Sequence, residues 1–406
     1  MIATRNRVKY ARAAIKQILS IADPRLELVV QDNSDKSELG EWINENERDV
    51  RLVYQHTAQP LSFVGNFDKA ARLATGTYLC FVGDDDGVNP EIIEAACWAL
   101  KQGLDALVPL NPVNYVWPGA GIPPTFFSKT DFGSLSILPI TVALCGVNLE
   151  KELAALMRNG GLYYLETNLP RLYHGLVSRK CVQMVCDRTG AYFGGLSPDV
   201  YSSVAIACVC QKACTIDYPL TIAGICGASG SAVEGGIKRH SKDLAAAPHL
   251  NNRGLYNWSR LVPNVYTVQT IWVDSEVAAL TDMGRGDLIA KLNTIRLAAH
   301  CMANNRGVAG RLIDYLVKDA KSRGKKPYWD VLQFTSHAIS IKFRKALYRF
   351  FNRLQIILGN KKLNIETGIV DIGEAGKFLS NYLRANNLSF ARYVSEANIK
   401  TTGWRL

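Results

Sequence analysis

Tyr78-Leu79-Cys80-Phe81-Val82-Gly83-Asp84-Asp85-Asp86-Gly87 is the stretch that decides the fold. Five apolar or β-prone residues run directly into three carboxylates and a glycine. A run that is apolar on both faces reads as a buried strand of a parallel sheet. Ligands of open α/β sheets sit just beyond the carboxyl ends of such strands. Three acids packed there repel one another unless something positive neutralises them. A hard divalent cation with oxygen ligands, shared with a substrate's phosphates, is one answer. The structural alternative is an acidic strand-to-helix turn, with Asp86 or Asn89 capping a helix that begins near Pro90.

Working outward, the flanking segments alternate strand and helix. Met1-Ile2-Ala3 is the stub of a strand, followed by the polar turn Thr4-Arg5-Asn6-Arg7. Val8 to Ile21 has the spacing of an amphipathic helix, with Ala11, Ala14, Ile15, Ile18 and Leu19 on one side. Leu26 to Val30 is a second strand, and it too ends in polar groups, Gln31-Asp32-Asn33-Ser34. A helix over Asp35 to Glu47, a strand over Val50 to Tyr54 and a helix over Ser62 to Ala74 complete a β-α-β-α-β-α-β order. That order predicts a mostly parallel sheet with helices on both faces. Two strand ends carrying acids, Asp32 and Asp84 to Asp86, then converge on one crevice. No GxGxxG follows the first strand and no GxxxxGK[ST] occurs anywhere, which argues against dinucleotide redox chemistry and a P-loop.

Four pieces of sequence carry a resemblance. They are Thr4-Arg5-Asn6, then Val30-Gln31-Asp32-Asn33-Ser34, then Ala74-Thr75-Gly76-Thr77-Tyr78, then Val82 to Asp86 with Pro90. In that order they resemble the family 2 glycosyltransferases of the GT-A fold, closely over about residues 1 to 100 and more loosely to about 230. The resemblance implies a nucleotide-sugar donor, Mn2+ or Mg2+, and inversion at the anomeric carbon. By position it implies that Thr4, Arg5 and Asp32 meet the nucleotide, Asp84 the ribose, and Asp85 the metal, with Asp86 beside it. Two departures stand out. The family's first strand has more residues ahead of its turn, so this one reads as truncated. The family's leading acid falls on Gly83.

An inverting enzyme also needs a carboxylate base opposite the leaving group. Gly194-Gly195-Leu196-Ser197-Pro198-Asp199 leads into an apolar helix over Val200 to Cys210. Ser-Pro-Asp is helix-start chemistry in its own right. It is also where the resemblance places the base, so Asp199 is the candidate. Ala106 to Leu110 reads as a strand, Pro112 to Ser128 as a mobile or acceptor-facing loop, Ile137 to Leu156 as a helix at least in its second half, and Leu172 to Arg179 as a strand. His174 reads either as facing the acceptor or as a satisfied histidine inside the sheet. Ile216 to Ile222 reads as a last strand. The glycine-rich run Gly224 to Gly236 reads equally as a flap over the diphosphate, with His240 completing the metal shell, or as a linker.

The chain has 406 residues, too many for one ordinary core, and 48% of them are hydrophobic. The expected division is a GT-A-type domain over 1–236, with a nucleotide half over 1–110 and an acceptor half over 111–236, followed by a helical region over 237–406. The net charge of +11 is unevenly placed. Residues 311–406 hold 18 Lys/Arg against 7 Asp/Glu, whereas residues 1–310 are balanced at 29 each. Lys342, Lys345, Arg349 and Arg353 recur at helical spacing opposite Phe343, Leu347, Phe350, Phe351, Leu354, Ile357 and Leu358. The segment 337–358 therefore reads either as an amphipathic helix on an anionic membrane or as a packed helix with a solvated basic face. Nucleic acid is disfavoured for lack of any motif.

No run of about twenty apolar residues is present, and Met1 to Arg12 lacks a signal-type apolar region. The ten cysteines read as reduced thiols of a cytoplasmic protein, peripheral on the inner membrane face where the basic helix binds. Cys208, Cys210 and Cys214 come nearest to a cluster, but their spacing is not that of a zinc motif. The expected function is sugar transfer to a saccharide or lipid-linked saccharide in surface polysaccharide synthesis. The competing readings are a nucleotidyltransferase, disfavoured because no glycine- and lysine-rich loop follows the first strand, and a non-catalytic membrane-associated scaffold.

Overall fold

The computed structural model describes residues 1–110, 113–121, 132–227, 244, 247–357 and 364–400, with the backbone alone at 304, 306, 342, 344–357, 364 and 398–400. Strands β1 (Ile2–Thr4), β2 (Leu28–Asp32) and β3 (Leu52–His56) form a parallel sheet in which Thr4, Asp32 and His56 are aligned at the carboxyl ends. The strand entering the acid run lies on the other side of β1. The Met1 amine donates to the Cys80 carbonyl at 2.8 Å, and Val82 N–H donates to the Met1 carbonyl at 3.0 Å. Thr4 is thus flanked by both acid-bearing strand ends.

The sequence dictates these elements locally. Helix α1 (Val8–Leu19) buries Ala11, Ala14, Ile15 and Ile18 on one side. Helix α2 spans Glu38–Asn46. Helix α3 (Phe63–Leu73) starts where Ser62 accepts from Gly65 N–H at 3.0 Å, an N-cap, and buries Val64, Phe67, Ala70 and Ala71.

The acid-run strand is shorter than its apolar pattern suggests. Only β4 (Tyr78–Leu79) pairs as a strand, and Phe81 makes an isolated bridge to Tyr173. After the acids, β5 (Gly87–Val88) and α4 (Ile92–Lys101) follow.

Two further sheets take up β6 (Ala106–Pro109), β7 (Val113–Val116), β8 (Ser134–Ile137), β9 (Ala143–Gly146), β10 (Leu176–Ser178), β11 (Ala213–Ile216) and β12 (Thr221–Ile225), with β13 (Asn364–Thr367) and β14 (Asn398–Lys400) at one edge of each. One sheet runs β14-β9-β11-β6-β10-β4 and another β13-β8-β7-β12-β5. The first half of the helix expected over Ile137 to Leu156 is instead strand: Ala143–Gly146 pairs antiparallel with β11. Helix α5 (Leu149–Arg158) begins only at Asn148, which accepts from Lys151 N–H at 3.0 Å. Helices α6 (Arg179–Thr189) and α7 (Pro198–Ala207) complete this half.

Two apolar layers cover the sheet. One gathers α1, α4 and the helix Ile372–Ala385, and the other gathers α3, α5, α6 and α7. The helices Val268–Asp282, Thr294–Asn304, Ala309–Ser322 and Pro327–Ile357 build a further core around Val273, Leu297, Leu312, Leu316, Phe334 and Ala338. Residues 364–400, grouped by sequence with the helical region, pair back onto β8 and β9. Tyr393 anchors this return: its hydroxyl lies 2.7 Å from both Asp217 Oδ1 and the Ala143 carbonyl. Among the described residues, no helix is long and apolar enough to cross a membrane.

Candidate active site

Asp84, Asp85 and Asp86 are all buried at the carboxyl end of the sheet. Thr4 Oγ1 donates to Asp84 Oδ2 at 2.5 Å, so the end of β1 touches the acid run directly. Asp32 is fully buried one strand further over. Its Oδ1 accepts from Ser34 N–H at 2.8 Å and its Oδ2 from the Tyr54 hydroxyl at 3.0 Å. The structure therefore brings Thr4, Asp32, Asp84, Asp85 and Asp86 into one place.

The counter-charge is a residue that the sequence reading did not single out. Arg7 places Nη1 2.8 Å from Asp84 Oδ1 and Nη2 2.8 Å from Asp85 Oδ2. Its Nη2 also donates to Cys226 Sγ at 2.7 Å. The only hint in the sequence is its place three residues after Thr4, in the turn that the strand end must make. Arg5, by contrast, reaches out to Asp35 at 3.2 Å on the surface.

Asp86 is held by a cage of donors. Gly224 N–H donates to its Oδ1 at 2.6 Å, and its Oδ2 accepts from Gly83 N–H and, at 2.8 Å, from the Tyr173 hydroxyl. His174 Nε2 lies 3.3 Å from the same oxygen, while its Nδ1 meets Thr221 Oγ1 at 2.9 Å. His174 thus belongs to the shell of the acid run. Burial lowers its pKa to about 4, so the ring is neutral. The backbone there is left-handed, with φ of 63°, which lets Tyr173 and His174 present adjacent side chains to one carboxylate. Trp117 Nε1 donates to the Asp85 carbonyl at 2.8 Å and fixes the middle of the run.

This packing accounts for Gly83. A Cβ at that position would lie 2.8 Å from Tyr173 Oη and 2.9 Å from both Asp85 Oδ1 and Asp86 Oδ2. No side chain fits, so the acids begin one residue later.

Burial pushes the Asp84 carboxyl up to about 7, against the pull of Arg7 and with a further push from Asp85. Burial, then Asp85, likewise raises Asp86. Asp84 Oδ1 faces Arg7 but has no hydrogen-bond partner of good geometry. Among the described residues, three carboxyl groups gather around one guanidinium.

Asp199 stands in the first turn of α7. Ser197 does not cap the helix as its position suggests: its hydroxyl donates to Asp199 Oδ1 at 2.5 Å. The loop before α7 joins the acid-run strand through an aromatic contact, Phe193 on Phe81 with ring centroids 5.6 Å apart. His240 and most of the glycine-rich run lie outside the described residues.

Residues 1–125 match the family model described as glycosyl transferase family 2. Over that stretch the chain carries the sequence of a family 2 glycosyltransferase. The parallel β1–β3 sheet and the acid run beside β1 belong to a GT-A-type fold. A comparison with curated proteins gives no match. Solved structures similar to this glycosyltransferase include S. aureus TarS 1-349 in complex with UDP-GlcNAc, 15% identical over 80% of this chain and 91% of that one, with a TM-score of 0.40. They also include the mannosyltransferase PcManGT from Pyrobaculum calidifontis in complex with GDP-Man and Mn2+, 14% identical over 84% of each chain, with a TM-score of 0.36.

Proposed function

We propose that this glycosyltransferase is metal-dependent and inverting, and that it moves a sugar from a nucleotide diphosphate to a saccharide or lipid-linked saccharide of a surface polysaccharide. The observation that carries this reading is the convergence of Thr4, Asp32 and three buried carboxylates at the carboxyl end of one sheet, with Arg7 as their partner cation. The donor set is all hard oxygen, and Asp84 Oδ1 lacks a hydrogen bond. Both features fit Mn2+ or Mg2+. Asp85 would hold the ion, with Asp86 beside it, oriented by Gly83, Gly224 and Tyr173. When bound, such an ion screens the charge that develops on a departing diphosphate.

The protein's own residues do the rest. Thr4, Arg5 and Asp32 bind the nucleoside, and Asp84 the ribose. Asp199 takes the proton of the acceptor hydroxyl as that oxygen attacks the anomeric carbon from the face opposite the leaving group. In this division residues 1–110 bind the donor and 111–236 meet the acceptor.

The acceptor proposal draws on the helix Pro327–Ile357. Phe334 and Ala338 are buried on its inner side, while Tyr328, Trp329, Leu332, Ile339 and Phe343 are exposed on the other. These exposed residues recur at three and four and share one face. Trp and Tyr favour the headgroup level, and the Lys/Arg excess of residues 311–406 complements anionic lipid. The partner of this face is an anionic bilayer, at the cytoplasmic surface where lipid-linked acceptors sit.

Calorimetry with UDP, GDP and dTDP in the presence of Mn2+, paired with a transfer assay, tests the enzyme reading. Asp85→Ala is expected to lose metal-dependent donor binding. Asp199→Asn is expected to bind donor normally and lose about 10²-fold or more in transfer. Undiminished metal dependence in the first variant, or normal turnover in the second, removes that residue from the mechanism.

A further inference from the structure

A second group of ligand atoms lies away from the acid run. Asp105 precedes β6, Cys181 sits in the first turn of α6, and Cys210 follows the end of α7. One carboxylate oxygen and the two Sγ atoms all lie within 4.8 Å of one another. We propose that Asp105, Cys181 and Cys210 form a binding site for a thiophilic divalent cation of the zinc type.

The donor set is that of such ions. Two thiolates and a carboxylate bind Zn2+ at about 2.3 Å and about 2.0–2.2 Å, leaving a fourth tetrahedral position for water. Asp105 and Cys210 are half-buried as residues and Cys181 is buried.

The surroundings orient the ligands as outer-shell groups do. Asp105 Oδ2 accepts from Gln211 N–H at 2.8 Å and Lys212 N–H at 3.1 Å. Its main-chain carbonyl accepts from Ser178 N–H at 2.8 Å, and Ser178 Oγ in turn accepts from Cys181 N–H at 3.4 Å. Cys181 stands at a helix N-terminus, where the dipole favours a thiolate.

The cluster is also short of positive charge. Lys212 turns its ammonium away to the Gln102 carbonyl at 2.8 Å. An ion there would tie the central strand β6 to α6 and to the end of α7. The three ligands come from distant parts of the chain, so no motif announces them.

The test uses the full chain, reduced and stripped with chelator, then titrated with Co2+. The expected result is a thiolate-to-cobalt charge-transfer band with tetrahedral d–d absorption, saturating at one equivalent and bleached by Zn2+. Cys181→Ser and Cys210→Ser each abolish the band, and Asp105→Asn weakens cobalt binding about tenfold or more. Asp85→Ala leaves the band intact, which separates this site from the acid run. Should the Cys181 variant fail to fold, the half-buried Cys210 decides. No thiolate band in the wild type, or a band that survives both serine substitutions, overturns the proposal. So does oxidation to a Cys181–Cys210 disulfide with no metal uptake after re-reduction.

Discussion

Replacing Arg7 by alanine leaves three buried carboxylates facing one another with no guanidinium between them. Arg7 makes two 2.8 Å contacts, one to Asp84 and one to Asp85. Removing one partner of a buried ion pair costs about 3–5 kcal/mol. The Arg7 side chain keeps 23% of its surface exposed, and Asp84 can take up a proton, so the lower end, about 3 kcal/mol, applies. At about 2 cal/mol/K per residue of unfolding entropy, that is a Tm drop of about 3–4 °C for a chain unfolding as one unit. A divalent ion supplies the missing charge. Arg7→Ala should therefore be rescued by Mn2+ by more degrees than the wild type gains. Differential scanning calorimetry in chelator and then in excess Mn2+ reads both effects. Equal Tm values for variant and wild type in chelator would refute the assignment of Arg7 as counter-charge. Loss of Tm without any Mn2+ rescue would refute the view that ion and guanidinium answer the same carboxylates.

Three further outcomes are expected. Gly83→Ala forces a Cβ to within 2.9 Å of Tyr173 Oη, Asp85 Oδ1 and Asp86 Oδ2; it should lower stability by about 1–3 kcal/mol and weaken Mn2+-dependent donor binding, both measurable by calorimetry. Glu276 is fully buried with neither carboxyl oxygen hydrogen-bonded, and burial raises its pKa well above 4.5. The folded state then keeps a proton that the unfolded chain releases, so stability falls as pH rises above about 4.5. Denaturation of Glu276→Gln against wild type should show a gap widening by up to about 1.4 kcal/mol per pH unit above that point, and a constant gap would sink the argument. Trp329→Ser combined with Phe343→Ser should reduce co-sedimentation with phosphatidylserine vesicles about tenfold or more. Unchanged sedimentation, or self-association lost in place of vesicle binding, would remove the bilayer as partner of that face.

The acid run and the alternating elements ahead of it were legible because strand and helix there follow local pattern. Val29 and Val30 run into Asp32, and Ser62 caps α3 just where its spacing allows. Ala143–Gly146 lies in the half of 137–156 whose helix the sequence left open, and its strand is set by pairing with β11, a partner some seventy residues away. Tyr173 drew no notice, and the role of His174 beside Asp86 did not show, because both lie in an apparent strand whose backbone turns left-handed at His174.

Sequence by itself determined that acids close two strands of the α/β half, since alternation and composition are local properties that can be counted along the chain. Tertiary structure alone decided what answers those acids. Arg7, Tyr173 and Gly224 reach Asp84 to Asp86 from separate segments, and Cys181 and Cys210 meet Asp105 only once the sheet has assembled. The physical reason is that a charge is compensated through space, over a few ångströms, by groups whose distance along the chain carries no information about where they end up.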